Sequence, residues 1–442
     1  MSLDRLFAPK SIAVYGASAT DPSKLGNTLL RNAASGAGDV LAVHPGAGSI
    51  DGTPAVPRLD RPVDLALISV PPARVEAAVA DAAAAGTGTA IVLSSGFGET
   101  GAEGRAVQDR LVAAAGRAGM RLVGPNCMGV VSHLGDGRWL NGSYFWRIPA
   151  VPGGLSFVSQ SGAFGGMFFG HLRSSGLGLS RFLSVGNSAD VGITDALAWL
   201  GDDPQTTAIG LFVEGFGDGR RFVAVARRVT AKKPVIVLKA GKMAAGAKAA
   251  ASHTGSLAGG HTAVRAGLRR AGVIESADTE TFFDTLHAAA AGLRRKAVRN
   301  IAIVTISGGP SVLAADAAER AGLVLPPLSP ATVERLRGLV PAFAALGNPV
   351  DLTPQCPADH FVRAIETIYA DPAVEGVVAI NCGLDLTPFG TGVARGVRST
   401  GKPTAAFVLD APSVEAEMAG AGVPRFGSPE RAVNALAAGG RA

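Results

Sequence analysis

Ser11-Ile12-Ala13-Val14-Tyr15-Gly16-Ala17-Ser18-Ala19 begins as an apolar run and breaks into a turn of small residues. A strand followed by a glycine turn and a helix is the opening unit of a parallel α/β sheet. The pattern repeats outward from it. Val40–Val43, Leu65–Val70, Ala90–Ser94 and Arg121–Val123 read as further strands, and Ala73–Ala85 and Glu103–Ala118 as intervening helices. Strands and helices alternating at this length predict a sheet covered on both faces. A Pro/Gly-rich join at Ile148–Gly154 precedes a second series, with strands at Leu155–Val158, Arg181–Ser184, Ala208–Val213 and Val235–Lys239. A polar break around Arg294–Asn300 precedes a third, with strands at Ile301–Thr305, Val374–Ile380 and Thr404–Leu409. Three doubly wound α/β domains are therefore expected, at residues 1–147, 148–297 and 298–442.

Composition narrows the function classes. Of 442 residues, 47% are hydrophobic and 17% charged, the balance of a folded chain with buried sheets. The net charge of +6 is spread without a dense Lys/Arg run, so no nucleic-acid partner is expected. Cys127, Cys356 and Cys382 are far apart and form no CxxC pair, which argues against a disulfide framework and against a metal site. No stretch approaches the roughly 20 apolar residues of a membrane span, and the N-terminus lacks a signal-peptide pattern, so a cytoplasmic location is expected.

Four constellations carry chemistry. Gly16-Ala17-Ser18-Ala19 ends the first strand where backbone N–H groups can face an anion. A nicotinamide dinucleotide site wants Asp or Glu after the second strand; His44-Pro45-Gly46 stands there instead, which counts against a dehydrogenase. Ser94-Ser95-Gly96-Phe97-Gly98 and Gly124-Pro125-Asn126-Cys127-Met128-Gly129 end the last two strands at the same sheet edge. Cys127 has no identifiable base beside it and reads as a packed residue. Ser159-Gln160-Ser161-Gly162-Ala163 and Ser307-Gly308-Gly309-Pro310-Ser311 share one design, a strand, a Ser-Gly turn and a helix start, suited to holding phosphate. His253 lies in a long, small-residue stretch, LKAGKMAAGAKAAASHTGSLAGG; Glu214, at the end of an apolar strand, is the natural carboxylate to orient a nucleophilic imidazole.

Together these motifs resemble the NDP-forming acyl-CoA synthetases, the superfamily of succinyl-CoA synthetase and ADP-forming acetyl-CoA synthetase. GASATDPSKLGN, SSGFGETGAEG and GPNCMG resemble its CoA-binding domain. SQSGAFG, SVGNSADV, FVEGF and AAASHTGSLAGG follow in the order of its ligase domain. SGGPSVLAADAAERAGL, GNPVDLTP and VPRFGSPERAVNAL resemble its additional flavodoxin-like domain. The resemblance implies a Rossmann-like CoA-binding domain followed by two flavodoxin-like domains. It implies a coenzyme A site lined by Gly16, Ala17, Ser18, Lys24, Ser69, Pro71, Ser94, Gly96, Phe97, Asn126 and Cys127. It implies phosphate seats at Ser161, Gly162, Ala163, Gly309 and Ser311, a phosphohistidine at His253 oriented by Glu214, and Asn187 near the small carboxylic acid substrate. The family's NPK-like lysine is absent, since the run here is His44-Pro45-Gly46-Ala47. No ATP-grasp region is recognisable, so ADP/ATP with Mg2+ is expected on a separate ATP-grasp beta subunit, in a heterotetramer. The competing expectation is a non-catalytic CoA- or acyl-CoA-binding regulatory protein.

Overall fold

The computed structural model describes residues 2–36, 38–135, 137–145, 147–148, 151–246, 248, 261–293 and 297–438. They divide into two compact units, Met1–Phe282 and Phe283–Ala442.

The first unit holds two seven-stranded sheets. In the first, strand Ser11–Tyr15 lies between Asp39–Val43 and Leu65–Ile68, with Thr89–Val92 and Arg121–Val123 beyond and a short hairpin, Ser49–Ile50 and Thr53–Val56, at the other edge. Ser11–Tyr15 pairs in parallel on both sides, Val14 with Ala42 and with Leu67. Ile12, Ala13 and Val14 are fully buried, which is why this strand reads as an unbroken apolar run. The chain leaves it in opposite directions for its two neighbours. The topological switch therefore falls at Gly16 and Ser69, at the carboxyl ends of the two strands. The expected strand Leu65–Val70 is shorter, Leu65–Ile68, because Ser69 and Val70 belong to this functional edge.

The second sheet has the order Leu179–Ser184, Pro152–Ser159, Ala208–Val213, Val235–Lys239, Ile274–Glu275, all parallel, the doubly wound flavodoxin-like order. Its switch point lies between Ser159 and Val213. An antiparallel hairpin, Gly129–Gly135 and Arg138–Ser143, extends this sheet by pairing with Leu179–Ser184. The hairpin precedes the Pro/Gly-rich join in sequence yet hydrogen-bonds into the second sheet.

The two sheets of this unit are tied together at their facing edges. Val123 bridges in parallel to Val191. Arg121 donates to both carboxylate oxygens of Asp190 at 2.9 and 3.0 Å, and Asp190 also accepts the Leu122 N–H. A Cβ on Gly186 would lie 2.3 Å from the Asn126 carbonyl oxygen, so the two loops interlock only with glycine there.

The second unit carries a four-stranded parallel sheet, ordered Val350–Asp351, Ile301–Thr305, Gly376–Cys382, Thr404–Leu409. Its switch point lies between Thr305 and Cys382. The strand expected at Val374–Ile380 begins and ends two residues later, at Gly376–Cys382. Among the described residues no helix is long and apolar enough to cross a membrane.

Candidate active site

At the switch point of the first sheet lies a cleft of about 780 Å3. It gathers Gly16, Ala17, Ser18, Lys24, Ser69, Pro71 and Ser94, drawn from three strand ends and a helix start. Glycine is required at its floor. Gly16 has φ +102°, and a Cβ there would lie 2.0 Å from the Ser69 carbonyl oxygen; a Cβ on Gly26 would lie 2.1 Å from the Gly16 carbonyl oxygen. These contacts bring helix Leu25–Ala34 against the turn with its first residues at the cleft. Neither this helix nor Pro72–Ala84 is capped by a side chain, and both begin at the cleft wall. Two helix starts and the ammonium of Lys24 make the cleft favourable to an anionic ligand.

Ser18 is committed to structure. Its N–H donates to Asn27 Oδ1 at 2.7 Å, and Asn27 Nδ2 returns a bond to the Ser18 carbonyl at 2.9 Å. The Ser69 and Tyr144 hydroxyls lie 2.6 Å apart, and the Ser94 hydroxyl donates to the Val70 carbonyl at 2.6 Å. Burial raises the Tyr144 phenol above its ordinary range, so it remains a neutral hydrogen-bonding group.

Four expected CoA-site residues fall outside the cleft wall. Phe97 is 1% exposed and packs in the core behind the edge. Cys127 is buried, donates to the Val92 carbonyl, and has its thiol pushed up to about 12, consistent with packing and not nucleophilic chemistry. Gly96 turns the chain at φ +103°, its N–H donating to Glu99. Asn126, at φ +60°, donates from Nδ2 to Asn187 Oδ1 at 3.3 Å. Sequence reasoning missed Arg74 and Tyr144, which line the cleft. Arg74 carried a readable signal: a cation in the first turn of a helix opposes the macrodipole and is explained by an anion nearby.

A second constellation occupies the switch point of the second sheet. The Ser159 hydroxyl accepts the Ser161 N–H at 3.1 Å and donates to the Ser161 carbonyl at 2.6 Å, fixing the turn. Ser161 caps helix Gly162–Ser175, its side chain accepting from Phe164 N–H. Ala163 is exposed and Gly162 half-buried, so the helix start is accessible. Gln160, between the two serines, reaches across. Its Oε1 accepts the N–H groups of Glu214 and Gly215 at 2.6 and 3.0 Å, and its Nε2 donates to the Gly215 carbonyl at 2.9 Å. One amide thus clamps the Glu214 turn to the Ser161 turn. From below, Lys239 Nζ donates to the Glu214 carbonyl at 2.9 Å. Burial lowers the Lys239 ammonium, and the nearby Glu214 carboxylate works the other way. Glu214 is half-buried at the strand end. His253 lies outside the described residues.

Asn187 sits where the two sheets of this unit meet. Its Nδ2 donates to Glu99 Oε2 at 2.5 Å and to Gln108 Oε1 at 3.0 Å, and its N–H to the Pro125 carbonyl. Burial works against the Glu99 carboxylate, but hydrogen bonds from Asn187 and Gly96 outweigh it and hold the group below its ordinary range.

In the other unit, Gly309 and Ser311 lie in the first turn of helix Gly308–Ala321. Gly309 has open space at its Cβ position, whereas Ser311 is buried and its hydroxyl donates to the Gly308 carbonyl at 2.7 Å.

Comparison with known proteins matches these parts in order. Residues 10–133 match a CoA binding domain, 152–289 a succinyl-CoA ligase like flavodoxin domain, and 301–419 a ligase-CoA domain. The chain is 38% identical over 447 residues to acetate–CoA ligase [ADP-forming] I of Archaeoglobus fulgidus, covering 99% of this chain and 63% of that protein. It is 37% identical over 418 residues to the alpha subunit of acetate–CoA ligase [ADP-forming] II of Pyrococcus furiosus, covering 92% of this chain and 90% of that subunit. The solved structure of Ca. Korarchaeum cryptofilum dinucleotide forming acetyl-coenzyme A synthetase 1, in complex with phosphate and ADP, matches with TM-score 0.87 at 32% identity, over 99% of this chain and 96% of that one. The three domain matches in this order, with the match at 37% identity over 90% of a known alpha subunit, place the chain in the ADP-forming acyl-CoA synthetase family.

Proposed function

We propose that this chain is the alpha subunit of an ADP-forming acyl-CoA synthetase, interconverting acyl-CoA, phosphate and NDP with carboxylic acid, CoA and NTP. CoA occupies the cleft between Gly16 and Ser69, its phosphates drawn to Lys24 and the two helix starts. A phosphate oxygen attacks the thioester carbonyl; the C–S bond breaks and CoA leaves as a thiolate that takes up a proton. The acyl phosphate then yields its phosphoryl group to a ring nitrogen of His253, and the carboxylate departs. Transfer from His253 to a nucleoside diphosphate completes the cycle. Phosphoryl transfer needs positioning and charge stabilisation more than covalent help from the protein. Here Ser161, Gly162 and Ala163 seat the phosphate and Glu214 orients the imidazole. Gly309 and Ser311 are assigned as a phosphate seat of the second unit, and Asn187 as a neighbour of the acyl group.

The Gln160 clamp carries this reading. It fixes the carboxylate-bearing turn beside the phosphate-type turn at a sheet switch point, where α/β proteins bind ligands. Nucleotide and Mg2+ are assigned to an ATP-grasp beta subunit, in a heterotetramer in the cytoplasm. The test combines the two subunits with ATP, Mg2+ and CoA across short, dicarboxylic and aromatic acids, following thioester formation. At least one acid should give acyl-CoA and ADP in equal amounts. CoA binding without turnover or phosphorylation under any of these conditions favours the non-catalytic reading.

A further inference from the structure

A separate cavity of about 310 Å3 lies at the carboxyl edge of the second sheet, beside the segments that follow strands Val235–Lys239 and Ile274–Glu275. Lys242, His261, Arg265, Arg269, Glu275 and Ser276 line it, and none of them belongs to the CoA cleft or to the Ser161–Glu214 turns. His261, Arg265 and Arg269 fall at every fourth position of helix His261–Arg270 and so share one face. Lys242 joins them from the segment that follows strand Val235–Lys239. Its Nζ donates to the Ser276 and Ala277 carbonyls and stands 3.8 Å from Glu275 Oε1. His261 Nε2 stands 3.6 Å from the same oxygen. Glu275 thereby lies beside two of the basic groups at the wall, and it is the single carboxylate among the described lining residues.

Two observations point to a ligand. Arg265 and Arg269, four apart on one helix face, repel each other, a cost that an anion between them reverses. Ser276 is 1% exposed, and among the described residues neither its hydroxyl nor the buried Nδ1 atom of His261 has a hydrogen-bond partner. A buried polar group left without a partner is costly; Glu275 Oε1 is a third such atom on this wall and faces the two cations, which leaves the Ser276 hydroxyl and His261 Nδ1 as the groups an incoming acceptor would satisfy.

We propose that this cavity binds a phosphate group, at a site distinct from the phosphate seat at Ser161. Phosphate has enough acceptor oxygens to engage two guanidinium forks, a hydroxyl and an imidazole N–H together. The cavity serves either free inorganic phosphate or the terminal phosphate of a nucleoside diphosphate. The inference needs only this chain and does not depend on the role of His253.

The test follows the imidazole NMR signals of the full chain, with His261 assigned through His261→Gln. Inorganic phosphate is titrated in one arm and ADP in the other. The His261 signals should move saturably, half-way at about 1 mM or below in at least one arm. Movement with phosphate identifies the free anion; movement with ADP alone identifies the nucleotide. Arg265→Ala with Arg269→Ala, both exposed positions, should raise the half-saturation point at least about tenfold. Ser276→Ala is the control for folding: deleting an unpartnered buried hydroxyl should leave the melting temperature unchanged or higher while weakening binding about three- to tenfold. No saturable movement in either arm, or an unchanged half-saturation point in the double arginine variant, overturns the proposal.

Discussion

The chain builds the same turn twice and equips the two copies differently. In the first unit, the Ser159 hydroxyl accepts the Ser161 N–H and donates to the Ser161 carbonyl. In the second unit, Thr305 Oγ1 does the same for Ser307, at 2.8 and 3.1 Å. Both turns end a central parallel strand at a switch point and start a 14-residue helix. The residue between the two hydroxyl positions differs. Gln160 clamps the backbone of Glu214 and Gly215, whereas Ile306 is 4% exposed and packs into the apolar core of its unit. Ser161 caps its helix, and Ser307 makes no side-chain cap. A hydroxyl two residues before the N-cap position sets the backbone; the side chain in between decides whether the turn is coupled to an acid.

Exchanging those residues tests the difference with the largest effect. Gln160→Leu should slow phosphorylation of the chain by about 100-fold, because displacing a reacting group by about an ångström costs that much. It should also destabilise the first unit by roughly 1–3 kcal/mol, since two backbone N–H groups lose their acceptor. The reciprocal Ile306→Gln should destabilise the second unit by roughly 1–3 kcal/mol through a buried amide, without raising phosphorylation. Radiolabel uptake and chemical denaturation read the two outcomes. Equal labelling by wild type and Gln160→Leu removes the coupling from the mechanism.

A smaller contrast lies in the caps. Ser161→Ala should cost about 1 kcal/mol, the usual worth of an N-cap hydroxyl, and Ser307→Ala less than about 0.5 kcal/mol. Denaturation midpoints of the two variants should therefore separate; a larger loss at Ser307 reverses the assigned roles.

The smallest effect is a pH dependence confined to the first unit. Glu99, held low by Asn187 and Gly96, is a depressed carboxyl group. Its stabilisation is fully present above the ordinary glutamate range and is lost as pH falls through the folded-state value. Glu99→Gln should flatten the acid-side loss of stability in this unit, and Asn187→Ala should reproduce part of that flattening. An acid limb that stays as steep in both variants assigns it to other carboxylates.

How much of this was readable in sequence follows from the range over which each contact acts. Ser11–Tyr15 was legible because a strand buried on both faces is apolar at nearly every position. Glu214 was legible as an acid closing an apolar strand. The hairpin Gly129–Gly135 and Arg138–Ser143 was not: its hydrophobic positions satisfy a sheet whose other strands lie later in the chain. Gln160 was quoted inside its motif but given no role. A glutamine at a strand end is polar filler until the strand 50 residues on is placed beside it, as the Gln160–Glu214 separation of 54 residues makes plain. Likewise the resemblance of the CoA-site motifs could not tell cleft wall from support: Ser69 and Ser94 line the cleft, while Phe97 and Cys127 lie behind it.

The most direct test concerns His253. The chain is incubated with acyl-CoA and 32P-phosphate, or with the proposed beta subunit and γ-32P-ATP, and protein-bound label is measured for acid lability. The wild type should carry acid-labile, base-stable label, Glu214→Gln should carry it much more slowly, and His253→Asn should carry none. Labelling of His253→Asn at the wild-type level would contradict phosphoryl transfer through this residue.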